Sequence, residues 1–116
     1  MENSMNIGLD HIAVYAPNQY LSLEDLAQAR NVDPNKYTVG IGIKEMAVAS
    51  TCEDVVVLAA NAGYRVLEES GVSPKDIGLL IVGTESAEDK AKPTATHVHE
   101  LLGINNSCRV YDIVHA

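Results

Sequence analysis

One stretch limits the architecture of this chain more than any other. Ile77-Gly-Leu-Leu-Ile-Val-Gly-Thr-Glu-Ser86 runs apolar almost without a break, then stops in a hydroxyl and a carboxylate. A Val/Ile/Leu run without alternation marks an interior strand of a sheet covered by helices on both faces. The run predicts a strand over Ile77 to Thr84, with Glu85 where it ends. In open α/β sheets, ligands and catalytic groups gather at the carboxyl ends of strands. Position alone leaves Glu85 two readings: a solvated loop or capping residue, or a group with chemistry to do.

The rest of the chain supplies partners for such a strand. Met1 to Met5 reads as a polar leader, and Ile7 to Tyr15 predicts a first strand, interrupted by Asp10 and His11 and closed by Pro17-Asn18. His11 reads as a structural or edge residue. Ser22 can cap a short helix over Leu23 to Arg30, with Glu24 and Asp25 in its first turn, where negative charge suits the helix dipole. Asp33-Pro34-Asn35-Lys36 predicts a turn, because proline fixes its own φ and keeps the residue before it out of the helical region. The Gly40-Ile-Gly42 pair reads as a loop packed tightly on the core rather than a phosphate loop.

Ser50-Thr-Cys-Glu53 has capping-box spacing and predicts the start of a long helix ending near Ser70, with Gly71 as its left-handed cap and Pro74 as its stop. Its apolar face takes in Val55, Val56, Leu58, Ala59, Ala62, Val66 and Leu67. Ser86 to Pro93 is polar and predicts an exposed loop. Helical periodicity returns over Thr94 to Leu102, capped by Gly103, and Ser107 to Val114 predicts a last strand broken by Asp112. This order of strands and helices gives an α/β layered fold with right-handed crossovers. The chain stops at Ala116 directly off a core-type strand, so the expectation is a piece of a longer protein.

Composition narrows the function classes. A length of 116 residues suits one domain or part of a larger one. The formal charge is −8 with only eight Lys and Arg, which argues against nucleic-acid binding and leaves any phosphate to a few local cations. Cys52 and Cys108 match no metal-ligand spacing and predict reduced thiols in a cytoplasmic protein. His97 and His99 stand two apart, which on a helix sends them to different faces, so no metal site is expected. No apolar run approaches the roughly 18 residues of a membrane span, and no export signal is visible, so a soluble protein without membrane partners is expected.

Several short motifs then point to a family. Asp33-Pro-Asn-Lys-Tyr37, Gly40-Ile-Gly42, Glu45-Met-Ala-Val48, Val82-Gly-Thr-Glu-Ser86, Leu101-Leu-Gly-Ile104 and Tyr111-Asp-Ile-Val-His-Ala116, in this order and spacing, resemble the N-terminal part of 3-hydroxy-3-methylglutaryl-CoA synthases. The resemblance covers residues 6–116. Gly83-Thr-Glu-Ser86 is its most specific element, because the related ketoacyl synthase III enzymes lack this glutamate.

The resemblance implies a thiolase-type fold, an αβαβα arrangement of two similar halves of which this chain supplies most of the first. It also implies condensation of acetyl-CoA with acetoacetyl-CoA, the reaction of the mevalonate pathway, with no cofactor beyond these substrates and with a homodimer as the assembly. A cysteine takes the acetyl group and a glutamate removes a proton from its methyl; by motif match that glutamate is Glu85. The family's substrate-contacting aspartate matches Asp33, beside Pro34; Lys36 and Arg30 are candidates for the CoA phosphates; and Ala116 matches the alanine that the family's nucleophilic cysteine directly follows. Cys52, Cys108 and the four histidines do not match the family's other catalytic positions. Burial at an apolar strand end would raise the pKa of such a base. Two alternatives stay open: a related β-branching enzyme of polyketide biosynthesis that takes its acyl group from an acyl carrier protein, and a non-catalytic fragment or module.

Overall fold

The computed structural model describes residues 7–115, so the leader and Ala116 lie outside the described residues. The chain divides into two units, one built from residues 16–54 and the other from residues 7–15 with 55–115.

The smaller unit is a two-stranded antiparallel sheet with two helices. β1 (Gln19–Ser22) pairs with β2 (Glu45–Val48), Gln19 opposite Val48 and Ser22 opposite Glu45. Neither strand is predicted by the sequence pattern, because four residues are too few to show a period against turn-rich surroundings. Ser22 ends β1 and caps α1 (Leu23–Ala29), its hydroxyl accepting from the Asp25 amide. α1 buries Leu23 and Ala27, four apart and so on one face, and Asn31 at φ 52 ends it in the left-handed region. The turn expected at Asp33 to Lys36 continues further than predicted into one helical turn, α2 (Asn35–Thr38). The glycines after it are exposed, not packed on the core. Gly40 is required locally instead: a Cβ there would sit 2.6 Å from the Lys36 carbonyl oxygen.

In the larger unit, residues 7–15 form no strand, although a first strand was expected there. Exposure alternates from His11 to Tyr15, with Ile12 and Val14 at 68% and 70%, so this part of the segment keeps a strand's two-residue period without being in a strand. Two side-chain contacts tether it to α3 (Val55–Ser70): His11 Nε2 lies 2.9 Å from a Glu69 carboxylate oxygen, and the Arg65 guanidinium donates to the Val14 carbonyl.

α3 begins at Val55, later than the Ser50-Glu53 spacing suggests. The Glu53 carboxylate accepts from the Ser50 amide at 3.0 Å and the Ser50 carbonyl from the Glu53 amide, so that box closes a turn before the helix. Gly71 follows at φ 71, and a 3-10 turn over Pro74–Asp76 leads into β3 (Leu79–Gly83). α4 (Thr94–Leu101) then crosses to β4 (Arg109–Ile113), which pairs with β3 in parallel. The core is Val82, Ala95, Val98, Leu102 and Ile104, flanked by Val56, Ala59, Ala60, Leu67, Leu80 and Val110. Small residues let α3 and α4 meet closely: a Cβ on Gly63 would lie 2.7 Å from Leu102 Cδ1.

β3 departs from the expectation of burial on both faces. Leu80 and Val82 pack inward, but Leu79 and Ile81 are 52% and 49% exposed, as are Tyr111 and Ile113 beside them on β4. The residues described here cover one face of the parallel pair and leave the other bare. Among the described residues no helix is long and apolar enough to cross a membrane.

Candidate functional site

β3 stops at Gly83, and the next residues are shaped by two hydrogen bonds on Thr84. Its amide donates to the Ile113 carbonyl at 3.0 Å, prolonging the parallel ladder by one residue. Its hydroxyl accepts from the Ser86 amide at 3.1 Å, which turns the chain at Glu85. Glu85 therefore projects from a bend fixed on both sides, at the carboxyl end of a strand. It borders an open cavity of about 440 Å³ together with Asp89, Lys90, Lys92, Asp112 and His115, and a smaller one along Gly83, Ile113 and Val114. Glu85 is exposed, so the burial expected from its place after an apolar run is not supplied by the described residues.

The loop from Ser86 to Pro93 forms the cavity's far wall and is, as predicted, without helix or strand. Asp89 organises it: Oδ1 accepts from the Ala91 amide at 2.7 Å. That bond first, then the Lys92 amide, holds the Asp89 carboxyl below the ordinary carboxylate range, and the charges of Lys92 and His97 act in the same direction. The turn gains from the ionised form and loses that gain as the pH falls through the lowered pKa.

Beyond the loop, α4 starts behind Pro93, which offers its helix no side-chain cap. The cap comes from β4. Both oxygens of the Asp112 carboxylate are used, one accepting from the Thr94 amide at 2.5 Å and the other from the Ala95 amide at 2.8 Å. Thr94 itself is 1% exposed, and its hydroxyl is buried without a partner among the described residues. Sequence reasoning reads Asp112 only as a flaw in a strand. The signal that could have found its role is the proline before α4, which leaves the helix needing an acceptor from elsewhere.

The remaining sequence-predicted residues lie in the smaller unit. Arg30 occupies the C-cap position of α1, and its amide bonds to the Leu26 carbonyl. Asp33 Oδ1 accepts from the Asn35 amide at 2.9 Å and so starts α2, while the Pro34 carbonyl accepts the Tyr37 and Thr38 amides. Arg30, Asp33, Pro34 and Lys36 are all exposed, gathered in the short connection from α1 into α2. Asp33 thus has a local structural task whatever else it does. Ala116 lies outside the described residues. His99 is occupied locally, its Nε2 lying 2.9 Å from the Asn105 carbonyl oxygen, and Cys52 and Cys108 are free thiols.

Chemically, the larger unit presents a carboxylate on a braced bend beside an open cavity with two lysines on its rim. Such a group can take a proton from a molecule seated in the cavity. Known proteins carry the same arrangement of elements. The family described as hydroxymethylglutaryl-coenzyme A synthase N terminal matches residues 3–115. The hydroxymethylglutaryl-CoA synthase of Enterococcus faecalis is 41% identical over 112 residues, 97% of this chain and 29% of that protein. Among solved structures, MvaS in complex with 3-hydroxy-3-methylglutaryl coenzyme A superposes with a TM-score of 0.84 at 48% identity, over 90% of this chain and 25% of that one. The HMG synthase of the curacin biosynthetic pathway, in complex with acetyl donor-ACP, gives 0.79 at 31% identity, over 90% of this chain and 26% of its own. The chain thus spans between 25% and 29% of the lengths of these relatives.

Proposed function

Because the chain belongs to the hydroxymethylglutaryl-CoA synthase family, with that family's thiolase-like α/β fold, we propose that the enzyme containing it condenses acetyl-CoA with acetoacetyl-CoA. The observation that carries this reading is Glu85, held on a bend at the end of β3 and facing an open cavity. In the proposed reaction a cysteine thiolate, following Ala116, attacks the acetyl thioester and CoA leaves as its thiol. The Glu85 carboxylate takes a proton from the acetyl methyl. The carbanion attacks the ketone carbon of acetoacetyl-CoA, the resulting alkoxide is protonated, and water hydrolyses the thioester to free the cysteine.

Arg30 and Lys36 are proposed contacts for the CoA phosphates, with Asp33 and Pro34 shaping the connection that carries them. Their exposure supports this, since a phosphate reaches a cation without first displacing packed side chains. The same reading has the enzyme acting in the cytoplasm as a homodimer, without a further cofactor. Free thiols at Cys52 and Cys108 suit that compartment.

The direct test is Glu85→Gln in the complete enzyme. The amide keeps the shape and cannot accept the proton, so the variant is expected to be acetylated normally while condensation falls by about 10²–10⁴-fold. Undiminished condensation would remove Glu85 from the mechanism.

A carrier-protein donor is the second reading, favoured by the curacin-pathway relative in complex with acetyl donor-ACP. The higher identity to MvaS, 48% against 31%, supports the CoA thioester instead. Turnover with acetyl-carrier protein but not with acetyl-CoA would reverse that preference.

A further inference from the structure

The loop that carries Glu85 returns at both ends to consecutive residues of one strand. Its near end is fixed where the Thr84 amide donates to the Ile113 carbonyl at 3.0 Å. Its far end is fixed where the Asp112 carboxylate accepts the Thr94 and Ala95 amides at 2.5 and 2.8 Å. Residues 85–93 are thus strung between two anchors, both on β4.

Asp112 is an expensive choice for this position. It alternates with Val110 on the inward side of β4, opposite the core residue Val82, where a branched apolar residue would pack without desolvating a charge. The carboxylate is tolerated because two helix amides, at the positive end of α4, satisfy it. A hydrophobic residue in its place would pack but could not direct α4, since Pro93 provides no side-chain cap. Asp112 also borders the same cavity as Glu85.

We propose that Asp112 is the positioning residue for Glu85, pinning the far end of loop 85–93 so that the carboxylate stays at a fixed reach from the acetyl methyl. This rests on the functional reading above. Displacement of a reacting group by about 1 Å is enough to cost on the order of 10²-fold in rate, so an anchor outside the reacting atoms can govern the chemical step.

The test uses the full-length enzyme with Asp112→Ala, which removes both acceptors, and Asp112→Asn, which keeps one. Four quantities are read: single-turnover acetylation by acetyl-CoA, kcat and KM for condensation, and hydrogen exchange across residues 85–95. Asp112→Ala is expected to acetylate within about twofold of wild type while the condensation kcat falls about tenfold or more at little-changed KM, with Asp112→Asn between the two. Exchange at the Thr94 and Ala95 amides is expected to quicken in both. An unchanged kcat would overturn the proposal, as would a parallel loss of acetylation and condensation in both variants. Wild-type enzyme that neither acetylates nor condenses would overturn the functional reading and the catalytic role with it. Exchange would then decide the anchoring by itself, with unaltered protection of residues 85–95 counting against it.

Discussion

Thr94 shows how much one side chain at a helix start can reveal. Its amide is held by Asp112, yet its hydroxyl is buried with no partner among the described residues. A buried hydroxyl without a bond retains its desolvation cost, and an apolar side chain of the same shape does not. Thr94→Val is therefore expected to raise stability by about 1 kcal/mol in chemical unfolding, with no effect on the amide bond to Asp112. A loss of similar size would mean that the hydroxyl has an acceptor in the complete protein. The place of Glu85 just past a strand end was legible at this scale because its signal is local: an apolar run, then Thr84, then a carboxylate. Its exposure was not, since burial at a strand end depends on what lies over the sheet face, and nothing within the run encodes that. Asp112 was illegible as a cap for the same kind of reason, its partners lying 18 and 17 residues away.

At the scale of elements, helices read from the sequence more faithfully than strands. α3 and α4 carry apolar periodicity over several turns and glycines that end them, and both appear within a few residues of their expected bounds. The strands β1 and β2 have four residues each and no such redundancy, so they were missed, while the segment 7–15 was read as a strand and forms none. What holds the larger unit is the contact of α3 and α4 over β3, centred on Val98 and Leu102. Leu102 also fills the space opposite Gly63, so its removal leaves a hole that two packed helices cannot readily close. Leu102→Ala is expected to cost about 2–5 kcal/mol, read from the shift of a denaturant unfolding midpoint. A cost under about 1 kcal/mol would show that the helices relax together after all.

For the molecule as a whole, the bare face of the parallel pair and the bare segment 7–15 describe the same situation. Leu79, Ile81, Tyr111 and Ile113 on the strands, with Ile12 and Val14 on the segment, are large apolar residues in the open. Purely parallel sheets are found with both faces covered, and the relatives that this chain matches are three to four times its length. The family was readable from motifs such as Gly83-Thr-Glu-Ser86 because they combine a strand end with a particular carboxylate. Glu85 is proposed to serve an acetyl group held on a cysteine. The measurement that tests it most directly is the intact mass of the full-length protein before and after incubation with acetyl-CoA, with the peptide following Ala116 mapped in the product. A gain of one acetyl group, placed on a cysteine immediately after Ala116, is the expected result. An unchanged mass, or an acetyl group on Cys52 or Cys108, would contradict it.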